Sequence, residues 1–293
     1  MAKIGFIGLG RIGETMAVRL LNAGHAIVGY DFREGVGTGV TEAGGRLAGS
    51  LIELSGEAEI IVTLLTDPGA VRATYLGGDG IIALSRPGTL LIDCSTTDVE
   101  TARAVATEAD EAGLLMVDAP ATAGSRSAEA EALSVLVGGS DEAVAAAKPI
   151  LEAVSDSLVH VGPSGSGQAA TICTNLVLGV SMIAVSEAGN LADALGLDRQ
   201  AYMTALSAAS MSHAALARRW PEPGHVDGRT NLSGATMLTD LNLVQDAARK
   251  TGTATPLSAG AQQLYTLFSA AGLGERDFSQ IVAFLRGRDS DAE

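Results

Sequence analysis

Residues 3–31, KIGFIGLGRIGETMAVRLLNAGHAIVGYD, read as strand, tight turn, helix, turn and strand. Ile4, Phe6 and Ile7 make an apolar strand. Met16, Leu20 and Leu21 recur at helical spacing behind it, and Gly24 ends the helix. Ala26 to Tyr30 form a second strand that stops at Asp31. Between the first strand and the helix lies Gly8-Leu9-Gly10-Arg11-Ile12-Gly13, a G-x-G-x-x-G turn. Gly8 permits the sharp turn, Gly10 a close approach of backbone to a pyrophosphate, and Gly13 close packing of helix on strand. An anion is favoured at that helix start by unpaired N–H groups and the helix dipole. Asp31 lies 18 residues beyond Gly13. That is close to the spacing of about 20 residues expected of a carboxylate that grips a ribose 2′-OH.

Thirty-six glycines would make a bare glycine motif unremarkable. The strand before it, the helix after it and the acidic residue closing the next strand make dinucleotide binding the expectation. Asp31 favours NAD because it repels a 2′-phosphate, while Arg33 leaves NADP open.

Working outward, residues 1–161 alternate short apolar runs with helical patterns, as in a doubly wound parallel sheet. Strands are expected at 59–65, 89–93, 114–118, 133–137 and 158–161. Ser50 begins a short helix with a capping box, and Asp98 caps a helix running to Ala112. Ligands of such sheets bind beyond the carboxyl ends of the strands. The loops after residues 7, 31, 65, 93 and 118 should therefore meet the ligand. This makes Gly8, Leu9, Gly10, Arg11, Ile12, Gly13, Asp31, Phe32, Arg33, Leu65, Thr66 and Thr96 candidate cofactor-binding residues.

Gly162 to Gly167 (GPSGSG) is expected to be a flexible joint, after which the pattern is helical only. The first domain is placed at 1–161 and an all-helical second at 162–293, with a long interdomain helix at about 166–195. Further helices are expected at 198–211, 234–250, 256–271 and 277–286. No charge occurs from Ser166 to Ser186, which raises a membrane span. Gln168, Thr171, Thr174, Asn175 and Ser181 interrupt that run, so a buried helix is the better reading.

The formal net charge of −15 argues against nucleic acid or an anionic membrane as partner. Two cysteines, Cys94 and Cys173, provide neither a disulfide framework nor a metal cluster. The chain opens directly on a strand, so a reducing cytoplasm is expected. With 47% hydrophobic and only 3% aromatic residues, the core should be built from Ala, Val, Leu and Ile.

Four blocks together resemble the β-hydroxyacid dehydrogenases, which include 3-hydroxyisobutyrate dehydrogenase and tartronate semialdehyde reductase. The first is the glycine turn with its helix. The second, Asp118-Ala119-Pro120-Ala121-Thr122-Ala123-Gly124, is similar to the family's DAPVSGG substrate loop. The third, Gly165-Ser166-Gly167-Gln168-Ala169-Ala170-Thr171-Ile172-Cys173-Thr174-Asn175, is similar to G-x-G-Q-x-x-K-x-x-N-N. The fourth, Thr239-Asp240-Leu241-Asn242-Leu243, is similar to K-D-L-x-L-A. They come in the family's order and span nearly the whole chain. The resemblance implies a Rossmann domain, a long interdomain helix, an all-α domain that dimerises, NAD or NADP as cofactor and a small-molecule substrate. It also implies cofactor contact at Thr239, substrate contact at Thr122, Ala123, Gly124 and Asn175, and catalysis involving Thr171, Asn175 and Thr122. Arg126 is a candidate carboxylate clamp, and Asp240 a candidate acid if its pKa is raised.

The departures matter more. The family's catalytic lysine falls on Thr171, and the lysine opening the fourth block falls on Thr239. Carbonyl reduction builds negative charge on oxygen, which a positioned acid or cation stabilises. A threonine hydroxyl can donate a hydrogen bond but carries no charge. Either another residue supplies the proton or the substrate is an imine, which forms no alkoxide. Imine reductases resemble the same superfamily, and they too replace the lysine. The sequence therefore predicts an NAD(P)-dependent oxidoreductase acting on a hydroxy, carbonyl or imine substrate. A conventional 3-hydroxyacid dehydrogenase with a relocated acid and a non-catalytic dinucleotide binder are the alternatives.

Overall fold

The structure, a computed structural model, describes residues 1–123, 133–209 and 232–286. Its contacts divide the chain into a first unit, from the amino end through Thr171, and a second from Ile172 onward.

In the first unit the apolar runs become strands and the amphipathic runs become helices. The order is β1 (Lys3–Ile7), α1 (Arg11–Asn22), β2 (Ala26–Tyr30), α2 (Thr38–Glu42), β3 (Arg46–Leu47), α3 (Leu51–Glu57), β4 (Ile60–Thr63), α4 (Pro68–Leu76) and α5 (Ile81–Leu84). Then come β5 (Leu90–Asp93), α6 (Val99–Glu111), β6 (Leu115–Asp118), β7 (Ala121–Ala123), β8 (Leu133–Gly139), α7 (Asp141–Val154) and β9 (Ser157–Gly162). The sheet runs β3-β2-β1-β4-β5-β6-β8-β7, with β9 also on β8. The chain steps outward from β1 to β3 and returns to the other side of β1 with β4. That reversal opens a crevice at the carboxyl ends of β1 and β4, where ligands of this architecture bind.

Strands β1 to β6 are parallel, as expected, but β8 is antiparallel to both β6 and β7. Parallel neighbours need a crossover, usually a helix. Among the described residues between Asp118 and Leu133, the chain forms the short strand β7. With α7 as a crossover, β9 pairs parallel to β8.

Alternation along β1 separates two cores. Ile4 and Phe6 pack with Met16, Leu20, Ile92 and Val135 on one face of the sheet. Ile7 packs with Leu54, Val71, Tyr75 and Val105 on the other. Among the described residues, four helices of this unit begin on a side-chain cap. Ser50, Asp67, Asp98 and Ser140 accept the N–H three residues ahead at the starts of α3, α4, α6 and α7.

Helix α8 (Ser166–Ala194) begins in the first unit and continues in the second. It is long and apolar enough, by length and composition, to cross a membrane. Three of its buried polar residues nonetheless bond to protein groups: Gln168 in the first unit, and Asn175 and Ser186 in the second. The segment before it is pinned rather than loose, contrary to the flexible joint expected at 162–167. Gly165 is buried, and its N–H donates to Asp118 Oδ1 at 2.7 Å.

The second unit adds α9 (Arg199–Ala209), α10 (Gly234–Thr251), α11 (Pro256–Phe268) and α12 (Ile281–Leu285). The helix expected to reach 271 leaves α-geometry after Phe268, and Gly272 takes φ +80°. This unit departs from the aliphatic core expected from composition. Three of the five phenylalanines, Phe268, Phe278 and Phe284, pack with Tyr265 around Met182, Met237 and Leu241.

Candidate active site

The glycines of the first turn fall into two kinds. Gly8 has φ +94°, and a Cβ there would lie 2.1 Å from the Leu64 carbonyl oxygen. A Cβ on Gly13 would lie 2.0 Å from the Gly8 carbonyl oxygen. The fold alone demands glycine at both. Gly10 is different: φ is −63°, and a Cβ would meet nothing nearer than Arg33 Nη2 at 3.6 Å. The protein leaves space there. A partner that approaches the backbone closely would fill it.

Helix α1 also starts without a side-chain cap, unlike α3, α4, α6 and α7. Its first intrahelical bond runs from Glu14 N–H to Gly10 O at 2.8 Å. An uncapped helix end beside an open glycine suits a pyrophosphate, so the residues present fit a dinucleotide.

At the end of β2, Asp31 is already engaged. Its Oδ2 accepts from Leu9 N–H at 2.8 Å and from Arg33 Nη2 at 3.0 Å. Its Oδ1 accepts from Arg33 N–H at 2.9 Å and from Nε at 3.0 Å. Partial burial opposes ionisation, but these donors outweigh it and hold the carboxyl below its usual range. Phe32 is exposed and meets Tyr30 edge to face at 5.2 Å.

Behind the loops after β4 and β5 lies a buried polar chain that the sequence reading missed. Tyr75 Oη and Thr63 Oγ1 share a hydrogen bond of 2.7 Å, and Thr63 Oγ1 donates to Asp93 Oδ1 at 2.8 Å. Ser95 N–H donates to the same oxygen at 3.1 Å, and Ser95 Oγ accepts from Leu65 N–H at 2.8 Å. Burial pushes the Asp93 carboxyl up to about 6, against these donors. Polar residues closing two buried parallel strands were the available signal. Leu65 is buried, Thr66 is exposed with its hydroxyl on Asp67 Oδ2 at 2.9 Å, and Thr96 is half-buried.

Asp118, at the end of β6, receives the start of α8. Gly165 and Gln168 donate their N–H groups to it at 2.7 and 2.9 Å. Burial raises its pKa, with those donors opposing. Thr171 lies one turn past Gln168 and is fully buried.

In the second unit, Asn175 Nδ2 donates to Asp240 Oδ2 at 2.9 Å, and both residues are buried. Burial pushes the Asp240 carboxyl up to about 7. Thr239, beside it in sequence, is exposed and bonds back to Ala235 O at 3.1 Å. Thr122 and Ala123 lie in β7, paired with Ser134 and Leu133 of β8. Gly124 and Arg126 lie outside the described residues. Cys94 is buried with its thiol pushed far up by burial, and Cys173 is exposed, whereas Thr171 and Asn175 are buried. His160 Nε2 bonds Gly139 O and Gly162 O at 3.2 and 3.0 Å, a structural role.

Residues 3–162 match the family model described as the NAD binding domain of 6-phosphogluconate dehydrogenase. Residues 165–285 match that described as NAD-binding of NADP-dependent 3-hydroxyisobutyrate dehydrogenase. A probable mitochondrial 3-hydroxyisobutyrate dehydrogenase of Dictyostelium discoideum is 40% identical, over 96% of this chain and 90% of its own. The NAD-dependent L-serine dehydrogenase of Pseudomonas aeruginosa is 36% identical, over 96% and 97%. Among solved structures, the Mycobacterium tuberculosis 3-hydroxyisobutyrate dehydrogenase with L-serine superimposes with a TM-score of 0.88 at 36% identity, covering 98% of this chain and 99% of that one. With the open glycine turn, the uncapped helix and these matches over both units, the chain belongs to the β-hydroxyacid dehydrogenase superfamily and is an NAD(P)-dependent oxidoreductase.

Proposed function

We propose that the chain oxidises the hydroxyl of a small 3-hydroxy acid, or reduces the matching aldehyde, with Asp240 as the proton-transfer group. The observation that carries this is the Asn175–Asp240 pair. Asn175 occupies one carboxyl oxygen of Asp240 as a donor, which leaves the other free to hold a proton. A buried carboxyl with a pKa of about 7 is half protonated near neutrality, where a general acid or base works best. The family resemblance puts an ammonium at position 171, and this chain has an uncharged Thr171 there. Asp240 is a group of this chain whose chemistry can supply the missing acid.

A nicotinamide cofactor, held by the Gly8–Gly13 turn and Asp31, would take the hydride from the substrate's C–H bond on oxidation or return it to the carbonyl carbon on reduction. The chain's own part is the proton. On oxidation, the substrate O–H bond breaks, its proton passes to the Asp240 carboxylate and its electron pair closes the carbonyl. On reduction, the Asp240 carboxyl returns that proton to the developing alkoxide. Asp31, held ionised, suits a ribose diol better than a 2′-phosphate, so NAD is the preferred cofactor. The imine reading was motivated by the missing lysine, and an acid at Asp240 removes that motive.

The test is turnover of a panel of 3-hydroxy acids, 3-hydroxyisobutyrate and L-serine included, against a panel of cyclic imines, with NAD and NADP. Hydroxy acids should be oxidised, with NAD preferred. Asp240→Asn should cut that rate by about 10²–10⁴ while NADH binding is retained. Oxidation by the native enzyme should rise as pH increases through about 7, because the base form is needed, and the variant should lose that limb. Preference for imines, or full activity in Asp240→Asn, overturns the proposal.

A further inference from the structure

The turn after β5 is gripped by one side chain from elsewhere. Gln168 Oε1 accepts from Thr97 N–H at 3.0 Å, and Gln168 Nε2 donates to the Ser95 carbonyl at 2.8 Å. An amide side chain has the same donor and acceptor as a peptide unit. Gln168 thus does for residues 95–97 what a neighbouring strand does for a ladder. The single residue between the two gripped groups is Thr96. Gln168 is fully buried, as are Ser95 and Thr97 within 1%.

The grip comes from a rigid support. The Gln168 N–H donates to Asp118 Oδ2 at 2.9 Å. A Cβ on Gly167 would lie 2.5 Å from Leu136 O and 2.6 Å from Asp118 O, so helix start and sheet are in close backbone contact there. The other side of the turn is held by Ser95, through Asp93 and Leu65. Three residues further along α8, on the adjoining face, stands Thr171.

We propose that Gln168 is a positioning residue that holds Thr96 in the conformation that meets the nicotinamide half of the dinucleotide. This rests on the reading of the loop after β5 as part of the cofactor site. The grip acts on the turn after β5, while Gly10 O accepts from Glu14 N–H and Asp31 Oδ2 from Leu9 N–H, bonds Gln168 takes no part in. Loss of the grip therefore has a selective consequence: the adenosine and pyrophosphate half of the ligand keeps its binding, and the nicotinamide half loses it.

The experiment uses the full chain and two ligands, NADH and ADP-ribose, which lacks the nicotinamide. Gln168→Met keeps length and removes both strong hydrogen-bonding atoms. It should weaken NADH binding about tenfold, the scale of two lost hydrogen bonds, and leave ADP-ribose binding within about twofold. Gln168→Glu, which keeps the acceptor for Thr97 and sets a second acceptor against the Ser95 carbonyl, should show the same selective loss. Hydrogen exchange at the Thr97 amide, read without ligand, should quicken in Gln168→Met. Equal weakening of both ligands, weakening of neither, or a Thr97 amide that stays protected overturns the proposal. A native chain that binds neither NADH nor ADP-ribose overturns the cofactor reading itself, and is distinguished from those outcomes by the native titration alone.

Discussion

Helices α1 and α8 both begin at glycine-rich turns, G-L-G-R-I-G and G-S-G-Q, yet the two starts are used in opposite ways. At α8 the chain satisfies its own amides: Asp118 accepts from Gly165 and Gln168, and Ser166 N–H donates to Pro163 O at 2.9 Å. At α1 no side chain caps the helix, and Gly10 faces space the protein does not fill. One start is a structural joint closed by the protein; the other is left open, as a phosphate site would require. Glycine content does not separate them. What separates them is how far the arriving carboxylate reaches: Asp118 takes the Gln168 N–H inside α8, whereas Asp31 takes only the Leu9 N–H ahead of α1.

The largest effect should come from opening the closed start. Asp118→Ala leaves two buried N–H groups without an acceptor, at about 1–3 kcal/mol each. Denaturant unfolding should show a loss of about 3 kcal/mol, and a loss below about 1 kcal/mol would mean that water takes the place of the carboxylate. Next comes closing the open start. Gly10→Asp supplies α1 with the cap it lacks and should leave stability unchanged or slightly raised, by a few tenths of a kcal/mol. The same carboxylate repels a pyrophosphate and competes for its amides, so NADH affinity should fall about a hundredfold, the scale of one or two lost charge-assisted bonds. Unchanged NADH affinity would show that the phosphates lie elsewhere.

The smallest effect concerns the rim of the open start. The Arg33–Asp31 pair is largely exposed on the arginine side and contributes at most about 1 kcal/mol to stability. Arg33→Gln should leave the melting temperature nearly unchanged and shift the NADH-to-NADPH affinity ratio a few-fold toward NADH, because a cation beside Asp31 is gone. A shift toward NADPH would show that Arg33 masks Asp31 and does not serve a 2′-phosphate.

Much of the first unit was legible because its signals are local. Strand β1, the glycine turn, α1 and β2 follow from hydrophobic period and turn chemistry within 29 residues, and the caps at Ser50 and Asp98 act within three. The antiparallel β8 was not legible, since the direction of a strand depends on what connects it. The same holds for the aromatic core of the second unit, which composition averaged over the whole chain conceals.

By itself, then, the sequence determined the dinucleotide turn, the alternation of strand and helix and the absence of lysine at 171 and 239. The pairing of the buried polar groups was decided by tertiary structure. Asn175 meets Asp240 across 65 residues, Gln168 meets Thr97 across 71, and Gly165 meets Asp118 across 47. A local pattern shows which residues are polar. Only the packed fold shows which buried donor faces which acceptor, and a carboxyl such as that of Asp240 gets its raised pKa from the water that the fold excludes.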